Sequence, residues 1–358
     1  MIKTYFTYEN LLRAYKDCRK NKSNSLECMK FDYNLEENLL SLERELQSRE
    51  YRPGRAVAFV VTKPKLREVF AAQFRDRVIH HLLYNYLAPI YEPRFIYDSW
   101  ACRPGKGTHG AMKRLQDFTW QASEGGRKRE CYYLQMDIKS FFTSIDKQCL
   151  YEIFARNIKN EEILWLARTI IFHDPAHDIP PRLNSPPKLF RQLPIDKSLF
   201  TVERGRGLPI GNLTSQFFAN VYLNELDCYV KHVLRAKWYV RYVDDWVVIA
   251  RSLAELRGYE RAIVEFVESP LNLTIQSKKT ILGRASDGVD FVGYIVRPHY
   301  ILVRRRVVWQ WRVADEASIN HPHRQQILAS YAGHFQLANS FKLQRTCPKS
   351  TPVFNTTV

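Results

Sequence analysis

Long apolar runs are missing from this 358-residue sequence. No stretch approaches the roughly 18 consecutive apolar residues that a membrane-spanning helix needs. The beginning, MIKTYFTYEN, lacks the apolar centre of a secretory signal peptide. We therefore expect a protein with no membrane partner and with a cytoplasmic location.

Closely spaced cysteine pairs are also missing. The scattered positions and the odd count indicate reduced thiols rather than a disulfide framework. The histidine pairs His173/His177 and His321/His323 lie beside prolines without a nearby thiolate, so we expect no zinc site. The seven cysteines are Cys18, Cys28, Cys102, Cys131, Cys149, Cys228 and Cys347.

Acidic side chains are too few to balance the basic ones. Lysine and arginine total 54 against 37 aspartates and glutamates, which gives a net charge of +17. A globular chain this basic favours a polyanionic partner such as nucleic acid, although a merely soluble basic protein could carry the same charge. Because 45% of the residues are apolar, the chain can bury one large core or two linked cores.

Apolar periodicity predicts an α+β fold. The order of elements is that of a split βαβ arrangement, an antiparallel sheet backed by helices. The proline-rich residues 174–206 are expected to form a long loop or insertion, and 124–130 a polar turn. Asn34 is expected to cap a helix that carries Leu35, Leu39, Leu42 and Leu46, and Thr108 to cap another. The pattern predicts strands at 57–61, 131–138, 238–243, 246–250 and 273–276, a hairpin at 290–304, and helices at 75–88, 108–119, 147–157, 161–172, 214–234 and 253–268.

Three aspartates stand where such strands end. Asp137 ends the apolar strand in QMDIKSFF, and Asp244 and Asp245 lie between two apolar strands in RYVDDWVVIA. A turn favours aspartate for its own reasons, but that alternative does not explain the flanking aromatic and β-branched residues or the separate Asp137. Carboxylates on adjacent rigid elements are what two Mg²⁺ ions require in nucleotidyl transfer. We therefore predict a two-ion site, with Mn²⁺ as a possible substitute.

These two segments resemble the active-site signature of reverse transcriptases, and further blocks follow in that family's order. The resemblance implies an RNA-directed DNA polymerase with a right-hand architecture. It implies fingers and palm over 1–300, with a palm core at about 131–158 and 207–300, and a helical thumb with a loose tail after Cys347 over 301–358. The additional blocks are KPKLR (63–67), ACRPGKGTH (101–109), GLPIGNLTSQFFANVYLNELD (207–227), QSKKT (276–280) and FVGY (291–294).

The resemblance also assigns roles to single residues. Asp137, Asp244 and Asp245 are implied to be catalytic, with the backbone carbonyl of Ile138 joining Asp137 and Asp244 as a metal ligand. Lys279 is implied to protonate the leaving pyrophosphate, although the adjacent Lys278 stays an alternative. The implied nucleotide-binding residues are Lys65, Arg67, Phe142, Ile210, Gly211 and Gln216. The implied primer grip is Phe291, Val292, Gly293 and Tyr294, and the implied template contacts are Arg103 and Lys106.

Bland alternatives remain for some of these residues. Phe142 would crowd a ribose 2′-hydroxyl and so select deoxynucleotides, but either it or Phe141 could instead be a core residue. Lys63 fits a solvated loop. Ile210 could simply pack against the palm.

The strings LPIGNLTSQFFANVYLNELD (208–227) and SYAGHFQLANSFKL (330–343) are similar to reverse transcriptases of diversity-generating retroelements. That resemblance implies a bacterial or phage enzyme that makes error-prone cDNA from a template RNA, using dNTPs. It also implies a small basic accessory protein, a helical-bundle oligomer encoded nearby. The 174–206 insertion departs from the compact members. The alternatives are a phage-defence or other orphan bacterial reverse transcriptase, an RNA-dependent RNA polymerase and a non-catalytic RNA-binding protein.

Overall fold

The apolar periodicity of the chain becomes helices and strands in the structure, a computed structural model that describes residues 4–20, 22–63, 65–319, 321–341 and 343. The predicted α+β class with antiparallel sheets is confirmed. The described helices are α1 (Tyr8–Arg19), α2 (Leu26–Tyr33), α3 (Leu35–Gln47), α4 (Phe74–Tyr91), α5 (Thr108–Ala122), α6 (Glu124–Arg127), α7 (Phe141–Ser144), α8 (Lys147–Asn157), α9 (Glu161–Phe172), α10 (Pro187–Arg191), α11 (Leu213–Cys228), α12 (Leu253–Glu268), α13 (Arg305–Ala317) and α14 (Arg324–Phe335). The described strands are β1 (Val57–Val61), β2 (Arg67–Ala71), β3 (Tyr132–Asp137), β4 (Arg182–Leu183), β5 (Trp238–Tyr242), β6 (Asp245–Ala250), β7 (Ile281–Arg284), β8 (Val289–Phe291), β9 (Tyr294–Val296) and β10 (Ile301–Val303).

The chain folds as two compact units, each built from separated stretches of sequence. The first unit comprises the described residues up to Ile96, together with Ile138–Tyr229 and Ile263–Gln276. The second unit comprises Tyr97–Asp137, Val230–Ala262 and the described residues from Ser277 onward. The division into fingers, palm and thumb at residue 300 stays a prediction.

In the first unit, β1 and β2 form an antiparallel hairpin in which Val61 lies opposite Arg67. Alternate residues of β1, Ala58 and Val60, are buried, as expected for a strand with one face on the core. The hairpin therefore presents its turn, and the residues on either side of it, at one end of this small sheet.

The segment 174–206, expected to be a loop, contains regular structure. The strand β4 pairs in parallel with β1, and α10 begins at a proline, where a missing N–H costs little. Ala176 and Leu199 pack into the core of the hairpin, against residues that include Phe70. The prolines favoured a loop in the sequence-based prediction. In addition, a strand of two residues that pairs with a distant partner leaves no periodic apolar pattern.

A buried carboxylate fastens this segment to β2. Glu68 is only 4% exposed, and its carboxylate accepts hydrogen bonds from Ser198 Oγ at 2.7 Å and from the Leu199 N–H at 2.8 Å. Burial raises the pKa of Glu68, and the two hydrogen bonds oppose that rise.

In the second unit, the central sheet is antiparallel with the strand order β5-β6-β3-β7. Its strands are buried along most of their length, which explains the near-continuous apolar runs in the sequence. The helix α5 covers one face, where Met112, Leu115 and Phe118 share a core with Trp238 and Val240. This core holds the sheet rigid up to the ends of β3 and β6.

The same unit contains a smaller sheet and the C-terminal helices. The sheet has the order β10-β9-β8, and α13 and α14 pack together through Trp311, Leu328 and Phe335. In the predicted helical segment 301–358, Ile301–Val303 forms β10 and the helices α13 and α14 follow, while its role as a thumb stays a prediction. Cys347 and the tail beyond it lie outside the described residues.

Several boundaries differ from the sequence-based expectation. No strand forms at 273–276 in the described chain, and Ile275 makes only an isolated bridge to Ile138. The helix α11 ends at Cys228 and continues as a π-helical turn, Tyr229–Val233. Thr108 is the first residue of α5 rather than its cap, and Asn34 precedes α3 without a capping side-chain hydrogen bond. Among the described helices, none is long and apolar enough to cross a membrane.

We expect the stability of the Glu68→Gln variant to increase relative to that of the wild type as pH rises. The pKa of Glu68 in the folded protein lies above its ordinary value. The contribution of protonated Glu68 to the free energy of unfolding is therefore complete below the ordinary pKa, and it is lost as pH rises through the pKa of the folded state. A glutamine keeps an acceptor for Leu199 and never ionises. The variant should gain about 1.4 kcal/mol over the wild type for each unit of the pKa shift.

Thermal denaturation between pH 4 and pH 8 measures this gain. The exposed Glu36→Gln is the matched control and should show no pH-dependent difference. A Glu68→Gln difference that stays constant over the range would contradict the argument.

Candidate active site

The end of the central sheet in the second unit brings carboxylates together. Asp137 ends β3, Asp245 begins β6, and the two are direct partners in the antiparallel register. Opposite residues in such a pair have Cβ atoms about 4.5–5.5 Å apart. The backbone pairing, rather than any side-chain contact, therefore fixes these two aspartates next to each other.

The sequence suggested that the two aspartates of RYVDD share one hairpin turn. In the structure they do not. Asp245 pairs with Tyr242 and belongs to β6, so the turn consists of Val243 and Asp244. Val243 has a φ of +57°, which a β-branched residue rarely adopts. The turn is therefore a strained element that neighbouring groups must hold.

A buried arginine holds it. Arg241 is 0% exposed, and its Nη1 donates to the carbonyl of Val243 at 2.8 Å. Its Nη2 donates to Ser99 Oγ at 3.0 Å, which ties the turn to the stretch before α5. No sequence motif points to Arg241, although a charge inside the apolar run WYVRY indicates a buried, paired group.

Negative charge is concentrated where β3 ends and β6 begins. The surrounding protein raises the pKa of Asp245 to about 7, chiefly by burial, and the charges of Asp137 and Asp244 raise it further. A hydrogen bond from Gln135 acts in the opposite direction. The three aspartates therefore form one electrostatic cluster, as the sequence predicted.

Lys279 lies at the same cluster. Its Nζ contacts Asp137 Oδ2 from a short helical turn, Ser277–Lys279, that leads into β7. Both Lys278 and Lys279 are exposed, but the contact belongs to Lys279. The geometry thus favours Lys279 as the lysine of the site.

Gln135 is a second residue that the sequence analysis missed. It is buried in the middle of β3, and its Nε2 donates to Asp245 Oδ1 at 3.0 Å and to the carbonyl of Asp290 at 2.9 Å. The carboxylate of Asp290 in turn accepts from Arg304 Nε at 2.6 Å. One amide therefore links an aspartate of the cluster to β8, the strand that leads into the predicted primer grip.

The donor set at the cluster fits Mg²⁺, although the cage is incomplete. In the described part of the chain, no three His, Cys, Asp or Glu side chains are arranged to hold a metal ion by themselves. Mg²⁺ commonly binds through one or two carboxylates together with substrate phosphates and water. Asp137 and Asp244 carry carboxylates of this kind, and their roles as metal ligands, like that of the Ile138 carbonyl, stay predictions.

The predicted nucleotide-binding residues lie in the first unit. Lys65 and Arg67 are exposed, and Arg67 opens β2 directly after the hairpin turn. The carbonyl of Ile210 accepts a hydrogen bond from the N–H of Phe70 in β2 at 2.9 Å. A side chain at Gly211 would meet the Phe70 carbonyl at 2.9 Å, so only glycine permits this approach.

The same unit places Phe142 near this segment. Its carbonyl accepts from the N–H of Leu208 at 2.7 Å. Phe141 is buried at 2% exposure, whereas Phe142 remains partly exposed. Of the two neighbouring rings, Phe142 is thus the one available to a ligand, and Gln216 is exposed on α11.

The predicted primer grip is divided between core and surface. Phe291 and Tyr294 are fully buried, and the Tyr294 hydroxyl donates to the carbonyl of His334 in α14 at 2.8 Å. Val292 and Gly293 form the turn between β8 and β9, both with positive φ and both partly exposed. Only the turn can therefore contact a ligand directly.

The predicted template contacts lie in the loop before α5. Arg103 donates to the carbonyl of Ser99 at 2.9 Å. Lys106 Nζ lies 3.5 Å from the ring centre of Tyr97 and 4.1 Å from that of Trp100. These contacts order the loop and leave both basic side chains partly exposed.

We expect Gln135→Met to slow DNA synthesis without weakening dNTP binding. Methionine keeps the volume but removes the hydrogen bonds to Asp245 and Asp290, and a hydrogen bond to a charged group contributes about 1.5–3 kcal/mol. If that contribution orients Asp245, kcat should fall roughly 10- to 100-fold. Steady-state kinetics should show KM for dNTP within about twofold of the wild type.

Two further variants separate positioning from general damage. Gln135→Glu, which places a like charge beside Asp245, should lower kcat further, and the exposed Gln325→Leu should change nothing. Melting temperatures control for folding. Unchanged kcat in Gln135→Met would remove this residue from the site.

Comparison with known proteins identifies relatives of this chain. The family model for reverse transcriptase (RNA-dependent DNA polymerase) matches residues 61–296. Protein YkfC of Escherichia coli is 24% identical over 287 residues, which cover 71% of this chain and 69% of YkfC. The group II intron-encoded protein LtrA of Lactococcus lactis subsp. cremoris is 21% identical over 328 residues, and the chain spans only 50% of its length.

A solved structure shares the fold. The telomerase from Candida tropicalis, solved in complex with a fragment of telomeric RNA, aligns with a TM-score of 0.50 at 11% identity, covering 85% of this chain and 58% of that one. The predicted right-hand polymerase fold is thus confirmed. Because the family model matches residues 61–296, more than half of the chain and including all three aspartates, the chain belongs to the reverse transcriptase family.

Proposed function

We propose that this protein is an RNA-directed DNA polymerase that makes error-prone cDNA for a diversity-generating retroelement. The observation that carries the catalytic part is the pairing of Asp137 with Asp245 at one sheet end, with Asp244 in the adjoining turn. The net charge of +17 supports nucleic acid as the partner. The substrates are a template RNA, the nascent cDNA and dNTPs.

Each residue has a defined task in this proposal. Two Mg²⁺ ions, when bound, would activate the attacking 3′-oxygen and stabilise the leaving pyrophosphate. Asp137 and Asp244 would hold these ions through their carboxylate oxygens, and Lys279 carries a proton that the departing pyrophosphate can accept. Lys65 and Arg67 bind triphosphate oxygens, Arg67 by its planar fork and Lys65 as a point charge.

Selection of the sugar and the base falls to the first unit. The partly exposed ring of Phe142 would crowd a 2′-hydroxyl and so favour deoxynucleotides. The carbonyl of Ile210 accepts a hydrogen bond from the N–H of Phe70, which supports a defined backbone position for this residue. An isoleucine can neither donate nor accept a hydrogen bond there, which supports loose base selection.

The retroelement assignment adds a partner and a host. The partner is a small basic accessory protein, and the enzyme is encoded by a bacterium or a phage and acts in the bacterial cytoplasm. A phage-defence or orphan reverse transcriptase would share the same aspartates and sugar gate. The two readings separate on error rate, because only the retroelement reading requires frequent errors opposite template adenine.

Primer extension on an RNA template tests the activity. The protein should extend a DNA primer with dNTPs and not with NTPs, because Phe142 obstructs the 2′-hydroxyl. Asp137→Ala or Asp244→Ala should abolish extension, since either change removes a metal ligand. RNA binding should persist in both variants, because it rests on phosphate contacts elsewhere.

The exposed Asp117→Ala is the matched control and should extend normally. Extension with NTPs would favour an RNA-dependent RNA polymerase. Near wild-type extension by either active-site variant would refute the assignment of the catalytic aspartates.

We expect Ile210→Gln to lower misincorporation opposite template adenine without abolishing synthesis. A glutamine amide at this position can hydrogen-bond where isoleucine cannot, and one such bond contributes about 0.5–1.5 kcal/mol. That range corresponds to roughly a 2- to 12-fold reduction in errors. Sequencing the cDNA that each enzyme makes from one RNA measures the change. Equal adenine error rates would show that Ile210 is only a packing residue.

A further inference from the structure

Four large apolar side chains lie exposed near the N-terminus of the first unit. The exposed fractions are 73% for Leu26, 47% for Met29, 88% for Tyr33 and 41% for Leu40. Single exposed apolar residues are ordinary, but a contiguous group marks an interaction site. We call this group, with Glu36 and Glu37, the α2–α3 patch.

The group is contiguous because of helix geometry. Leu26, Met29 and Tyr33 follow one another at helical spacing and so share one face of α2. The buried residues of α2, Cys28 and Phe31, supply the contacts to the rest of the unit. The outward face of α2 is therefore not needed to hold this helix against the rest of the unit.

An open groove extends the face onto α3. Tyr33 and Leu40 line it, with Glu36, Glu37 and Arg44 among the other lining residues. Its volume is about 680 Å³, which is enough to receive several side chains. The patch thus offers both an apolar face and a recess.

The charge of the patch is opposite to that of the chain. Glu36 and Glu37 are exposed and Glu43 also lines the groove, against the single basic residue Arg44 there. The whole chain carries +17. A phosphate backbone would be repelled here, so the patch does not suit nucleic acid.

We propose that the α2–α3 patch binds a protein partner through a helix whose apolar face is flanked by lysine or arginine. Apolar side chains of the partner helix fill the groove, and its basic residues meet Glu36 and Glu37. The small basic accessory protein proposed above is one protein of this chemistry. The inference itself depends on the surface alone and not on the polymerase activity.

A designed peptide tests the inference on the full chain. The probe is an 18-residue amphipathic helix with leucines on one face and flanking lysines, and its matched peptide carries glutamate in place of lysine. Fluorescence anisotropy should show binding of the lysine peptide only. The triple variant Leu26→Ser, Met29→Ser and Tyr33→Ser should weaken binding at least tenfold, and Glu36→Gln with Glu37→Gln about threefold.

Variants elsewhere provide the control. Ile195→Ser and Val233→Ser remove side chains that are 77% and 64% exposed outside the patch, and they should leave peptide binding unchanged. The triple variant should keep its melting temperature, its primer extension and its affinity for an RNA oligonucleotide. These readouts separate failure of this inference from failure of the proposed polymerase.

Three results would overturn the inference. Equal binding of the lysine peptide to wild type and triple variant would place the peptide elsewhere. Loss of RNA affinity in the triple variant would make the patch a nucleic-acid surface. A self-association of the wild type, seen by sedimentation and lost in the triple variant, would make the occupant a second copy of this chain.

Discussion

Mutual repulsion among three aspartates is the constraint around which the second unit is organised. Two of them are held together by the pairing of β3 with β6, whose many backbone hydrogen bonds and buried side chains outweigh the repulsion at one end. The remaining strain is handled by single groups: Arg241 holds the turn, Gln135 binds Asp245 and Lys279 offsets the charge of Asp137. A polymerase site of this type therefore needs a rigid sheet more than it needs any one loop.

The sequence was sufficient wherever structure follows from local pattern. The helices at 147–157 and 161–172 were predicted to the residue, since their apolar spacing and their caps at Asp146 and Asn160 are local features. The aspartates were found because a strand end and a turn are readable from flanking apolar residues. The family resemblance then supplied roles that composition alone cannot give.

Most of the features that could not be predicted from the sequence depend on contacts between distant residues. No sequence pattern points to the role of Gln135, because its partners, Asp245 and Asp290, lie 110 and 155 residues further along the chain. Ile275 has the apolar character of a strand residue but finds only a single bridge partner. Phe141 and Phe142 could not be told apart by sequence, because a short helix rather than a strand decides which ring is buried. For Gln135 and Ile275 the deciding partner lies far along the chain, whereas for the two phenylalanines the deciding feature is the local helix.

The parallel pairing of β4 with β1 has a consequence for how the protein is made. The pairs between these strands, Val57 with Arg182 and Ala58 with Leu183, join residues 125 positions apart. The hairpin of β1 and β2 can close as soon as both strands leave the ribosome, whereas β4 emerges only after more than a hundred further residues. During that interval β1 exposes an unpaired edge, the kind of surface on which chains aggregate. While the intervening helices are synthesised and fold, the chain is therefore prone to aggregation at this edge. The proline-rich segment 174–206 ends that period by covering the edge.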